Sequence, residues 1–228
     1  MKIIILAAGI GSRLGKPHPK SLTKLSNGKT IMQNQLNAFL HYVSIDDIFI
    51  VVGFKKELIM EAVPDASFIY NDYFDTTNTS KSLLKALKKV ANEDVIWVNG
   101  DVVFDPVIIG RMVEYSASCM AVSTARVGDE EVKYITDSNG LIVNVSKTVD
   151  NPQGEAVGIN KVIREDISLL IETLEQCNDH DYFEKGIEDA ISRGLKVHPI
   201  DISDVLCTEI DFPEDLELVN KQLENSIC

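Results

Sequence analysis

Ile3, Ile4, Ile5 and Leu6 form an unbroken apolar run that stops at Ala7-Ala8-Gly9-Ile10-Gly11. A β-strand turns successive side chains to opposite faces, so a run with no polar member must be covered on both. A sheet with a layer of helices on each side provides that cover, and a sheet with one wet face does not. The glycines that end the run let backbone N–H groups approach an anion closely. A buried strand that empties into a glycine turn therefore predicts a layered α/β fold with an anion site at the strand's end.

The following residues keep this pattern. Ile31, Leu36, Phe39, Leu40 and Val43 have the spacing of a helix over Thr30–Val43. Asp47–Gly53 and Ser67–Tyr70 predict two more strands, and Asn78 or Thr79 caps a helix that runs to Val90. Asp94–Val98 is a fourth strand ending at Asn99-Gly100-Asp101, and Asp105 caps a helix with Pro106 at its first position. Such alternation predicts a largely parallel, doubly wound sheet.

Later the order changes. Strands are expected at 119–125, 132–135 and Leu141–Val145, the last two joined by a turn at Asp137-Ser138-Asn139-Gly140. Helices at 164–176 and 182–193, strands at 195–200 and Thr208–Asp211, and a helix from Pro213 follow. With no repeat or linker, residues 1–228 read as one domain whose sheet continues across two halves, about 1–118 and 119–228.

The formal net charge is −13, a balance that argues against sequence-independent nucleic-acid binding. No apolar run approaches the ~20 residues that span a membrane. The stretch Met1–Ala8 is too short, and too soon broken by Gly9, Gly11 and Arg13, to read as a signal peptide. Cys119, Cys177, Cys207 and Cys228 lie far apart and form neither a metal knuckle nor a disulfide framework. A reducing cytoplasm is the expected compartment.

The distribution of charge says more than its sum. The first acidic residue is Asp46, yet Lys2, Arg13, Lys16, Lys20, Lys24 and Lys29 precede it. An acidic chain that keeps carboxylates away from its glycine turn preserves a positive field there. The turn fits neither common phosphate motif. A dinucleotide fingerprint needs glycine at position 14, which is Leu14, and an acidic residue about 20 positions on. The Gly-Lys-Ser/Thr ending of a Walker loop is also absent.

Ala7-Ala8-Gly9-x-Gly11-x-Arg13-Leu14 followed by Pro19-Lys20, then Asn99-Gly100-Asp101, then Glu209-Ile210-Asp211-x-Pro213-x-Asp215-Leu216, resemble the landmarks of the sugar-phosphate nucleotidyltransferase superfamily, in its order. The segment Asn71–Ser80 resembles the base-side region of the small cytidylyltransferases that use phosphocholine or inositol phosphate. A methylerythritol-phosphate cytidylyltransferase is disfavoured by Asn99-Gly100-Asp101 and by the Glu-Ile-Asp-x-Pro ending. A molybdopterin guanylyltransferase is disfavoured by Ala7-Ala8 and the Pro-x-Pro-Lys spacing.

The resemblance implies a three-layer α/β/α Rossmann-like nucleotidyltransferase fold with a mixed, mostly parallel central sheet. The first half would bind nucleotide and the second the acceptor. Leu6, Ala7, Ala8, Gly9, Gly11 and Gly100 would wrap the triphosphate, with Asn78 and Ser80 reading the base. Arg13 would support the leaving pyrophosphate and Lys20 the α-phosphate. Asp101 and Asp211 would hold Mg²⁺, and Glu209, on the face of the strand that carries Asp211, is a second-tier candidate. Lys147 would grip the acceptor's phosphate, with Glu155 and Gly158 lining the acceptor site. Tyr182-Phe183-Glu184 offers aromatic faces and a carboxylate, a chemistry suited to an ammonium group.

The function implied is transfer of a nucleoside monophosphate, CMP from CTP, to a small phosphorylated or phosphonate acceptor. Phosphocholine and inositol phosphate are the leading acceptors. A sugar-1-phosphate uridylyl- or thymidylyltransferase is the alternative, and a nucleotide-binding regulatory pseudoenzyme is the non-enzyme reading. The partners are small molecules, with no nucleic acid and no membrane; a homodimer is left open. No nucleophile–histidine pattern is recognisable, and none is needed if the acceptor arrives as a phosphate dianion.

Overall fold

The computed structural model of the 228-residue chain describes residues 1–90, 92–124, 128 and 131–225. In chain order, β1 (Lys2–Ala7), α1 (Ile31–Phe39), β2 (Ile48–Val52), α2 (Lys56–Ala62), β3 (Ser67–Tyr70), α3 (Thr79–Val90) and β4 (Val95–Asn99) form the alternating part. Then come β5 (Val102–Phe104), α4 (Val107–Glu114), β6 (Cys119–Ser123), β7 (Lys133–Thr136), β8 (Ile142–Ser146) and β9 (Gly154–Val162). The chain continues with α5 (Ile167–Gln176), α6 (Phe183–Ser192), β10 (His198–Asp201), β11 (Cys207–Glu209) and α7 (Pro213–Asn225).

The main sheet has the order β10-β6-β9-β4-β1-β2-β3. Along this path every neighbouring pair is parallel except the two that involve β9, which runs antiparallel to both β4 and β6. The result is the mixed, mostly parallel sheet expected. β9 joins strands from before and after residue 118 into one sheet. β7 and β8 form a hairpin that continues from β9, and β11 pairs with β5 apart from the main sheet.

The alternation of β1 divides its isoleucines between two cores. Ile4 and Leu6 pack with Leu83, Leu87, Trp97, Leu174 and Phe183 under α3, α5 and α6. Ile3 and Ile5 pack with Met32, Phe39, Ile59 and Ile108 under α1, α2 and α4. Helices therefore cover both faces, as an all-apolar strand requires. Trp97 is the core residue its strand position suggested, edge-to-face with Phe183 at 5.7 Å. No helix among the described residues is long and apolar enough to cross a membrane.

Several boundaries move. α1 ends at Phe39 rather than Val43, and the strand expected at 195–200 begins only at His198. The expected strand at 119–125 runs to Ser123, and residue 125 lies outside the described residues. α4 starts at Val107 with Pro106 as its N-cap, one residue later than expected, and the Asp105 carboxylate accepts from Val107 N at 2.9 Å. Three elements had no counterpart in the sequence reading. α2 is short, β5 is three residues, and β9 carries Asn160 and Lys161 in what would otherwise be a readable apolar run.

Candidate active site

The C-terminal ends of β1 and β4 open into a cavity of about 740 Å³, within the range typical of small-molecule sites. At one wall lies the glycine turn. Gly11 has φ +63°, and a Cβ there would stand 3.2 Å from Lys20 Cβ, so the turn needs glycine to fold against Lys20. The turn carries Arg13 out over the cavity, where its guanidinium lies 5.7 Å from the Phe212 ring centroid.

The acidic residues come from two short strands. Asp101 follows β4, and Asp211 follows β11. The pairing of Glu209 with Val102, together with Ile210 N donating to the Asp101 carbonyl at 3.0 Å, brings the two segments side by side. Asp101, Glu209 and Asp211 each present a carboxylate oxygen, all within 4.8 Å of one another. Lys20 bridges two of them, with Nζ at 2.8 Å from Asp101 and in contact with Asp211, and Arg13 reaches Asp211 at 3.3 Å. Burial opposes the Lys20 charge, but Asp101 and Asp211 outweigh it and hold the ammonium's pKa above its ordinary value.

Glu209 is pushed well above the usual carboxylate range, chiefly by the Asp101 charge. Its side chain is exposed, so we attribute the shift to the crowding of like charges rather than to burial. An all-carboxylate donor set of this compactness fits a hard divalent cation such as magnesium. Asp215 has another task. Its carboxylate accepts from the Asp211 and Phe212 amides at 3.0 and 2.7 Å, and it fastens the start of α7.

β9, the end of β8 and the start of α6 also line the cavity. Gly158 has φ +74°, and a Cβ there would be 2.9 Å from the Asn99 amide nitrogen, which also lines the cavity. Lys147 Nζ lies 5.1 Å from the centroid of the Tyr182 ring. Beside them Glu184 is 7% exposed, and its Oε2 has no hydrogen-bond partner among the described residues. Burial pushes its carboxyl up to about 7, with the Lys147 charge only partly opposing this.

That shift carries a testable consequence. An acid whose folded-state pKa is raised costs stability as pH climbs from its unfolded value through its folded one. For Glu184 that window runs from near 4.5 to about 7. Glu184→Gln should therefore melt close to the parent at pH 4 and above it at pH 8. A variant that melts below the parent at pH 8 would remove the burial argument.

Most expected site residues meet in this cavity. Leu6, Ala7, Gly9, Gly11, Arg13, Lys20, Asn78, Gly100, Asp101, Lys147, Gly158, Glu184 and Asp211 all line it. Ala8, Ser80 and Glu155 do not. Ala8 is buried beneath the turn, its carbonyl accepting from Phe54 N. Ser80 is wholly buried in α3, one residue past Thr79, which does face the cavity. Glu155 alternates with Ala156 along β9, and it is Ala156 that lines the wall. Burial and the Glu131 charge push Glu155 up to about 7.

Asn78 is spoken for in part, accepting from Thr79 N at 2.8 Å and donating to the His180 carbonyl at 3.2 Å. None of the four histidines lines the cavity. Asn99, Glu131 and Phe212 line it without having been singled out. Asn99 and Phe212 stand inside the quoted landmarks, whereas nothing in the sequence around Glu131 marks it.

A family model described as a MobA-like NTP transferase domain matches residues 3–166. Among curated relatives, the CMP-5'-(3-aminopropyl)phosphonate synthase of Streptomyces rubellomurinus is 26% identical over 94% of this chain and 37% of its own length. The bifunctional protein GlmU of Francisella philomiragia is 26% identical over 68% of this chain and 35% of its own. The chain thus spans roughly a third of the length of these relatives.

Among solved structures, the CTP:phosphocholine cytidylyltransferase of Streptococcus pneumoniae superposes with a TM-score of 0.82 at 20% identity, covering 97% of this chain and 98% of that one. The inositol-1-phosphate CTP transferase of T. maritima gives 0.79 at 19% identity, covering 96% and 95%. These likenesses show a shared fold.

Proposed function

This chain belongs to the MobA-like NTP transferase domain family, and we propose that it transfers CMP from CTP to a small phosphorylated or phosphonate acceptor, releasing pyrophosphate. The observation that carries the reading is the pairing of two sets of groups in one cavity. Arg13, Lys20 and the Asp101–Asp211 carboxylates line the same cavity as Lys147, Tyr182 and Glu184. The relative named for making CMP-5'-(3-aminopropyl)phosphonate supports both cytidylyl transfer and an amine-bearing acceptor.

In this reading the glycine turn and Arg13 bind the triphosphate, and Lys20 turns from its carboxylates to the α-phosphate. Asp101 and Asp211, with Glu209 at hand, would hold magnesium, which when bound supplies charge neutralisation to the reacting phosphates. Lys147 holds the acceptor's phosphate. Tyr182 and the buried, unpartnered Glu184 carboxylate favour an acceptor that carries a cationic amine, which would draw Glu184 into its ionised form.

The chain needs no base for the attack. The acceptor phosphate has a second pKa of about 6 and is largely dianionic at neutral pH. It attacks the α-phosphorus in line with departing pyrophosphate, and positioning and charge neutralisation account for the catalysis.

The test is pyrophosphate release measured for CTP, UTP, GTP, ATP and dTTP against phosphocholine, inositol phosphate, aminoethylphosphonate and hexose 1-phosphates. CTP with an amine-bearing phosphate or phosphonate should lead. A clear preference for UTP or dTTP with a hexose phosphate would move the chain to the sugar branch, and release with no pair would leave the pseudoenzyme. Within the leading pair, Lys147→Ala should raise the acceptor's KM by about tenfold or more, the worth of one charge-assisted hydrogen bond. CTP binding without acceptor should stay unchanged; an equal loss there would take Lys147 out of the acceptor site.

A further inference from the structure

The turn that carries Asp101 is gripped from below by a residue outside the cavity. Gln35, in the middle of α1, is 1% exposed. Its amide nitrogen donates to the Asn99 carbonyl at 2.9 Å and to the Val102 carbonyl at 2.8 Å. These two carbonyls flank Gly100-Asp101, so one side chain spans the whole turn. Both its N–H groups are used, and its Oε1 has no hydrogen-bond partner among the described residues. The position is otherwise a core position, between Met32, Leu36 and Phe39, where an apolar residue would pack at lower desolvation cost.

The same helix also fixes Lys20. Thr30 closes the start of α1 with a reciprocal capping box to Gln33. Ile31 N then donates to the Thr23 carbonyl at 3.1 Å, and Thr23 N donates to the Lys20 carbonyl at 2.9 Å. α1 is thus bonded to the backbone beside Lys20 at one end and to the backbone around Asp101 at its middle. The distance between that cation and that carboxylate is set by a rigid element rather than by the two loops that carry them.

We propose that Gln35 is a positioning residue: through the Asn99 and Val102 carbonyls it fixes Asp101 relative to Asp211 and Lys20, and so sets the affinity of the carboxylate pair for a divalent cation. The proposal rests on the reading of Asp101 and Asp211 as metal-holding residues. Outer partners that orient a ligand typically alter metal affinity by about 10–100-fold.

The test is titration of the protein with Mn²⁺, followed by the loss of the free-ion paramagnetic resonance signal, in the parent, Gln35→Met and Leu36→Ala. Gln35→Met keeps length and volume but offers no donor. It should bind Mn²⁺ about tenfold more weakly, and in turnover assays it should need correspondingly more magnesium for half-maximal rate. Leu36→Ala, from the same helix and equally core-facing, should lower the melting temperature without moving Mn²⁺ affinity.

Should Gln35→Met not fold, Gln35→Asn, which withdraws both donors by one methylene, carries the same expectation. Unchanged Mn²⁺ affinity in the Gln35 variant, or an equal loss in Leu36→Ala, overturns the proposal while the proposed reaction stands. A parent that binds no Mn²⁺ overturns it together with the metal reading. Weakened Mn²⁺ binding in a chain that releases no pyrophosphate would support the positioning role and sink the proposed reaction instead.

Discussion

Asp101→Ala and Asp211→Ala are each expected to abolish measurable pyrophosphate release while leaving the melting temperature close to the parent's. Each removes one of two carboxylates that flank Lys20 in the cavity wall, and neither belongs to an apolar core. The Lys20 ammonium keeps one carboxylate in either variant, so no buried charge is left wholly unpaired. Loss of a cation that neutralises the reacting phosphates is worth several kcal/mol. At about 1.4 kcal/mol per factor of ten, that is several orders of magnitude in rate.

Asp105→Ala is the control. It removes a hydrogen bond at the start of α4, costs about 1 kcal/mol of stability, and should leave turnover unaffected. Near-normal activity of Asp101→Ala or Asp211→Ala at limiting magnesium would make the metal assignment wrong.

Lys20→Ala and Arg13→Ala should lower turnover by roughly 10²-fold or more, since each withdraws a preorganised charge aimed at the phosphates. The two should not behave alike in stability. Lys20 is held between two carboxylates by a buried stem, and its loss sets Asp101, Glu209 and Asp211 against one another. Lys20→Ala should therefore be less stable without divalent cation and recover when it is added. Arg13 is half exposed, packed on Phe212 at the rim, and should change melting little. Effects confined to melting in both variants, with turnover intact, would reduce the pair to ordinary surface cations.

The parts of this molecule that were legible in sequence are those where one physical demand dominates. β1, β2 and β4 are covered on both faces, so after Lys2 their residues are apolar until the cavity is reached. The glycine turn and the two acidic segments were readable because close backbone approach and carboxylate chemistry restrict residue choice sharply. Glu209 was readable as a neighbour of Asp211 two residues along the chain, although the strand expected to carry both ends at Glu209.

What escaped is where demands conflict. β9 crosses the middle of the sheet, yet Lys161 lies within it, buried, its ammonium satisfied by the carbonyls of Val113 and Tyr115 at the end of α4. No local pattern announces a lysine whose partners are main-chain oxygens some 46 to 48 residues away. Ser80 and Glu155 each stand one residue away from a position that lines the cavity, Thr79 and Ala156. Segment resemblance locates a stretch, but the choice of face depends on exactly the element boundary that sequence fixes least well.

The order of the strands has a consequence of its own. From β1 the chain winds outward through β2 to β3, then returns through α3 to lay β4 on the other side of β1. The connections leave β1 and β4 in opposite directions, which opens a crevice between their carboxyl ends. Open α/β sheets bind their ligands at such a switch point. Ala7, Gly9, Asn99 and Gly100 sit at its lips. The location of the cleft is thus a property of winding, fixed before any side chain is chosen. Tyr182, Glu184 and Lys147 reach it from later elements, and these can change without disturbing the crevice itself. On the proposed reading, a chain built this way would take up a new acceptor by altering its second half while the nucleotide end stayed where the topology put it.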